Sequence, residues 1–265
     1  MVCKHIIVII FLFLGFSCTD EPPLEDNPLD PGGGDYEIPS VSIISDFTFG
    51  EIVTTETITI LLEGNELAVE YRVRMDDGEW VDWTTDKAYT FEYLDEGSHI
   101  IYAQSRYITE EESETVAIDF IVDAVSGPAM MFFPRRKIAE VGDQVVFHIN
   151  AEEVSNLSGS EFVLEYNPDQ ISIEDVLSGN IFTPLGETIF FYDNNPEIGR
   201  LVITAAVFGV GEPSFTGTAD IAEIILQVKY SGEIDIVFDG SELFRNSENE
   251  SIQINTSIPG KIESN

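Results

Sequence analysis

Cysteine is nearly absent from this chain: Cys3 and Cys18 are the only two, both ahead of residue 20. No disulfide can therefore brace the body of the protein, and each folded unit must be held by its own core. Histidine is equally scarce. Beyond residue 5 only His99 and His148 occur, which excludes a multi-histidine metal site. There is no G-x-S-x-G elbow and no glycine-rich phosphate loop. Carboxylates are the opposite case: 49 Asp and Glu allow an acid–base pair to be nominated almost anywhere, so no nomination carries information. The sequence offers no catalytic residue and no cofactor site, and the chain is not read as an enzyme. Cations are few, 12 Lys and Arg, giving a formal charge of −37. A surface of that sign repels phosphate backbones and anionic lipid, so nucleic-acid partners and adsorption to a membrane surface are both disfavoured. The acidity is read as solvation, since the carboxylates are scattered without the spacing of a calcium loop. Helical periodicity is also missing. No run of useful length repeats at 3.6 residues, which leaves an all-β chain.

What is present begins with Lys4 and the apolar run IIVIIFLFLGF from Ile6 to Phe16. Eleven apolar residues are too few to cross a hydrocarbon layer of about 30 Å as a helix, and the pattern reads as a secretion signal over residues 1–17. Ser17-Cys18 resembles the lipobox of bacterial lipoproteins, in which the chain is cut before a cysteine that becomes acylated. Gly15 stands where a leucine is usual, with Leu14 one step earlier. The resemblance implies lipidation of Cys18, export, and attachment to the outer membrane through that lipid alone; the alternative is an ordinary secretory peptide with an incidental cysteine. Residues 18–40 then turn to TDEPPLEDNPLDPGGGDYEIPS after the cysteine. Prolines, glycines and carboxylates cannot bury an apolar face, so this is a linker, able to reach roughly 70 Å when extended. Acidic residues directly after the cysteine resemble export signals of surface lipoproteins and favour display on the cell surface.

From residue 41 to 124 the pattern has period two. Ile58, Ile60 and Leu62 alternate with polar or second-face residues, as do Tyr71, Val73 and Met75, and then His99, Ile101, Ala103 and Ser105. Asp76-Asp77-Gly78 and Asp95-Glu96-Gly97 supply turns, and short strands at this spacing predict a β-sandwich of immunoglobulin type. The stretch EYRVRMDDGEWVDWT and its continuation resemble bacterial Ig-like and fibronectin-III-like spacer modules. Trp80 and Trp83 fit either a sugar-stacking platform or, as preferred, plugs at the sandwich end. His99 is read as a core or rim residue.

AVSGP, Ala124 to Pro128, marks a joint. The second unit, 128–265, contains VGDQVVFHIN, ISIEDV, RLVITAAVF, IAEIILQVKY and EIDIVF, each with strand length and β-branched content. DNNPEIG, from Asp193 to Gly199, starts like a calcium loop but lacks the sixth-position glycine and the twelfth-position acid, so it is read as a hairpin turn. A sandwich or jelly roll follows. Along NLSGSEFVLEYNPDQI, Phe162, Leu164 and Tyr166 alternate with Glu161, Val163 and Glu165. The first set suits a core and the second must then project from the opposite face.

The order of these stretches, and above all G-x-x-F-x-L-x-Y-[DN]-P filled by Gly159, Phe162, Leu164, Tyr166, Asn167 and Pro168, resembles cohesin domains. That resemblance implies a nine-stranded jelly roll over Met130 to Glu263 whose flat sheet face receives a dockerin module. Calcium, where involved, would belong to the dockerin. On this basis Glu161, Val163 and Glu165, with Ile203 and Ala205 on the neighbouring strand, are the expected partner-binding residues. Related sandwiches bind carbohydrate, so a glycan partner is the alternative, as is a purely structural envelope role.

Overall fold

The computed structural model describes residues 27–211 and 213–265; the expected leader, Cys18 and the first part of the linker lie outside them. The chain is all-β and forms two modules. In the first, β1 (Val41–Ile44), β3 (Ile58–Gly64) and β5 (Ala88–Phe91) make one sheet, ordered β1-β3-β5. The second sheet holds β2 (Ile52–Val53), β4 (Glu70–Met75), β6 (Gly97–Arg106) and β7 (Val116–Val122), ordered β2-β7-β6-β4. The alternation read from sequence is realised: Ile60, Leu62, Tyr71, Val73, Ile101 and Ala103 are buried between the sheets with Phe47 and Phe120. Both turns form where Asp76 and Gly97 take positive φ.

Two local expectations change. Tyr36 to Ser40, assigned to the linker, are held against the first module: Tyr107 Oη donates to the Glu37 carbonyl at 2.8 Å, Ser105 Oγ to the Ser40 carbonyl at 3.0 Å, and Tyr36 Oη bonds Glu111. Trp80 and Trp83 do not plug an end of the sandwich. Their rings lie over guanidinium groups on the outward side of β4 and β6, Trp83 taking Arg72 at 4.3 Å and Arg106 at 4.7 Å, Trp80 taking Arg72 at 4.9 Å and Arg74 at 5.4 Å. The outward row of β4 is basic, and an aromatic face is the stacking partner a guanidinium favours. His99 sits at the rim as expected, Nδ1 at 2.8 Å from Asp76 and Nε2 at 2.8 Å from the Asp95 carbonyl.

The second module runs through β8 (Ala129–Phe133), β9 (Arg136–Ala139), β10 (Gln144–Glu165), β11 (Ile171–Ser178), β12 (Glu187–Asn195), β13 (Arg200–Phe208), β14 (Phe215–Val228), β15 (Gly232–Phe238), β16 (Leu243–Asn246), β17 (Ser251–Ile252), β18 (Thr256–Ile258) and β19 (Gly260–Ser264). The jelly-roll plan is laid out in twelve hydrogen-bonded segments. Its hinge is β10. The sequence suggests two strands here, yet one 22-residue strand forms, bent by register shifts between Ile149 and Leu157 and by positive φ at Glu153 and Asn156. Bulges of this kind let one strand serve both layers of a sandwich. The first half of β10 pairs with β14 and β8, the second with β13, β15 and β16. Between the layers lie Phe132, Phe147, Phe162, Phe182, Leu201, Ile224, Phe244 and their neighbours.

The modules are fastened together by Arg135, which is 1% exposed. It stands at the start of the second module and reaches three acids of the first: its guanidinium pairs with Glu56 and, at 3.0 Å, with Glu96, and its backbone amide donates to Asp95 at 2.7 Å. Lys261 adds a bond to the Tyr93 hydroxyl at 3.2 Å. Burial pushes the Asp95 and Glu96 carboxyls above their usual range despite the guanidinium beside them. Arg135→Ala would strand Glu96 without its cation in a site where its side chain is 14% exposed. Denaturant titration should show a loss of about 3 kcal/mol; a loss within experimental error would mean that the pair contributes nothing.

Candidate docking face

The outer side of the layer formed by β12, β13, the second half of β10, and β16 is open to solvent. Registers fix which residues share it. Cross-strand rows run Ile189–Ala206–Gly159–Arg245, then Phe191–Thr204–Glu161–Leu243, then Asp193–Val202–Val163, then Asn195–Arg200–Glu165–Val237. On β13 burial alternates without interruption: Leu201, Ile203, Ala205 and Val207 face the core, Val202, Thr204, Ala206 and Phe208 face outward. On β10, Phe162 (0% exposed), Leu164 and Tyr166 fill the core as the sequence indicates.

Of the five residues expected on this face, Glu161 and Glu165 are exposed on it. Val163 belongs to it by direction but is 4% exposed. It is hemmed in by Glu161 and Glu165 along the strand, Val202 across it, and the segment after β15, whose Asp239 amide donates to the Val163 carbonyl at 3.1 Å. It is floor, not projection. Ile203 and Ala205 are corrections: both are buried, because Ile203 lies opposite Phe162 and Ala205 opposite Ser160, on the core side of the sheet. Both parities of RLVITAAVF are apolar, so sequence could not tell its faces apart; the register onto β10 does so.

Two members of the face were not found by sequence. Ile189 and Phe191, 41% and 56% exposed, stand on β12, a strand the sequence reading missed. The signal was the apolar run Ile189-Phe190-Phe191-Tyr192 just before the DNNPEIG turn. That turn does join β12 to β13. It is pinned to the motif: Gly199 has φ +65°, and a Cβ there would fall 1.8 Å from the Tyr166 carbonyl oxygen, so only glycine fits. The Tyr166 hydroxyl donates to Asn194 at 2.6 Å, and its amide to the Gly199 carbonyl at 2.9 Å. The tyrosine of the motif thus sets the β12–β13 hairpin, and with it the edge of the face.

The face has an apolar middle (Ile189, Phe191, Ala206, Val202, Leu243) and a charged margin (Glu187, Asp193, Glu165, Arg200, Arg245), the arrangement of a protein–protein interface. Geometry therefore defines a jelly-roll module with an open, mixed sheet face. Residues 134–263 match the family model described as the cohesin domain, and the second module is a cohesin domain. Similar solved structures include a type II cohesin domain from the cellulosome of Acetivibrio cellulolyticus (18% identity, 51% of this chain, 94% of that chain, TM-score 0.45). Others are a type I cohesin–dockerin complex from Clostridium thermocellum (16%, 52% and 98%, 0.45) and a non-cellulosomal cohesin from Archaeoglobus fulgidus (14%, 52% and 90%, 0.43). No curated protein matches the chain.

The two sides of this sheet layer should respond differently to mutation. Phe162→Ala is expected to cost about 3–5 kcal/mol in chemical denaturation, whereas Phe191→Ser, on the open face, should stay within about 0.5 kcal/mol of the parent.

Proposed function

We propose that this chain is a lipid-anchored, non-catalytic receptor whose cohesin domain binds a protein partner of dockerin type on the β12–β13–β10–β16 face. The observation that carries the reading is the open face itself: an apolar centre within a charged margin, held rigid by the β10 core row and left uncovered by the first module. The first module and the linker would act as spacer, and acylated Cys18 as anchor to the outer membrane, with the face turned outward from the cell. Cohesins are non-catalytic protein-binding modules, which accords with the lack of any catalytic motif in the sequence.

Two experiments test this. Purified dockerin modules should be retained by the immobilised chain from residue 19 onward and released on chelation of calcium. Val202→Arg, at the centre of the face, should weaken retention by at least about 2 kcal/mol, roughly thirtyfold. Retention indifferent to Val202→Arg would remove the face from the account. Separately, Cys18→Ala should move the protein from the membrane fraction to the soluble exported fraction; a variant that stays with the membrane would refute the anchor.

A further inference from the structure

The docking face is not flat throughout. Where the Ile189–Ala206–Gly159–Arg245 and Phe191–Thr204–Glu161–Leu243 rows approach the turn after β13, a groove of about 580 Å³ opens. Its floor is made by the two smallest side chains on the face, Gly159 and Ala206, which sit opposite each other in the ladder. A Cβ on Gly159 would meet the Ala206 Cβ at 3.5 Å, so any larger pair would fill the floor. Phe208 and Leu243, 56% and 42% exposed, and Pro213 form apolar walls. Ser158 Oγ donates to the Pro213 carbonyl at 2.6 Å and ties that wall to β10.

Charge is placed at two points on the rim. Among the described residues Glu161 accepts only the Thr204 hydroxyl, at 3.3 Å, which leaves most of its acceptor capacity unused there. Arg245 donates to the Ser251 hydroxyl at 2.8 Å and the Asn249 carbonyl at 3.4 Å; among the described residues no carboxylate pairs with it. In a chain of charge −37, an arriving protein is steered by its cations, and Glu161 is the carboxylate among the described residues that line the groove. Ile189 and Phe191 lie outside the groove but in the same cross-strand rows, opposite Ala206 and Thr204, and are exposed, so apolar surface continues beside it past what a compact small molecule would cover.

We propose that this groove is the specificity pocket of the docking face: it takes a bulky apolar side chain, phenylalanine or leucine, from the partner protein, with a neighbouring lysine or arginine reaching Glu161. This rests on the docking reading above and adds to it the chemistry the partner must present. A cavity of this size holds an aromatic ring together with the stems of its neighbours, and burying such a ring is worth more than an order of magnitude in affinity.

The test uses short alanine-based helical peptides and the isotope-labelled chain from residue 19 onward, followed by NMR. A peptide carrying phenylalanine and, four residues on, lysine should shift the amides of Gly159, Ala206, Phe208 and Arg245 in a saturable way. Replacing its phenylalanine by alanine, or its lysine by glutamate, should weaken binding about tenfold or more. Ala206→Trp, which fills the floor from the outward side, should do the same, and Leu243→Ser provides a second variant that removes a wall instead. No shift at millimolar peptide, or shifts indifferent to the peptide's phenylalanine and to both variants, would overturn the proposal. Shifts at these amides from cello-oligosaccharide and not from peptide would overturn it in favour of a glycan site. If Val202→Arg abolishes dockerin retention while Ala206→Trp and Leu243→Ser leave it unchanged, the docking reading stands and the pocket falls. If the peptide behaves as described but dockerin retention ignores Val202→Arg, the pocket stands and the docking reading falls.

Discussion

Strand alternation on one stretch of β10 is the constraint from which the second module takes its form. Phe162, Leu164 and Tyr166 cannot leave the core without exposing three large side chains, at about 1.5–3 kcal/mol each. Their burial sends Glu161 and Glu165 outward, and through the ladder it orients β13: Ile203 opposite Phe162 must go in, so Val202 and Thr204 must come out. The same register carries through to β12 and places Phe191 and Asp193 on the open side. One buried row thus fixes the facing of three strands.

The sequence made this row legible because polar and apolar residues alternate along it without ambiguity. The all-β class, the two modules and the first module's core were legible on the same ground, while the cohesin domain was legible through the resemblance carried by Gly159, Phe162, Leu164, Tyr166, Asn167 and Pro168. Elsewhere the pattern was silent. RLVITAAVF is apolar on both sides, and its facing depends on pairing, a long-range fact that no local window contains. Ile203 and Ala205 were misplaced for that reason. Val163 shows a different limit: direction follows from alternation, but exposure depends on what the neighbours cover, and here it is buried with the segment after β15 bonded to its carbonyl. β12 went unread because its apolar run lacks period two, being an edge strand whose inner side is only half buried. The bend of β10 was hidden since Gly159, Asn156 and Ser155 look like turn residues and serve instead as points of bending within a continuous strand.

The joint between the modules rests on a different balance. Arg135 is almost wholly removed from water, and its two carboxylate partners belong to the other module. A buried ion pair is weak evidence for stability but strong evidence for geometry, because neither partner tolerates losing the other. Segment 124–128 is short and itself tied down, Gly127 donating to Glu153 at 2.8 Å and Asn255 to the Pro128 carbonyl at 2.7 Å. The first module therefore meets the second at the β8–β9 and β19 side, and Phe191 and Leu243 stay exposed.

Among the described residues the strand β12 pairs only with β13, so its other rim offers peptide groups unpaired by them, beside exposed Ile189, Phe191 and Tyr192. Such a rim invites a second molecule to zip on and begin a fibre. Glu187 and Asp193 are spaced along that strand, and a copy arriving antiparallel with Phe190 opposite Phe190 would set Glu187 against Asp193. The surplus of negative charge, unhelpful to folding, acts here as a guard against self-templating, and leaves the rim approachable only by something of the opposite sign.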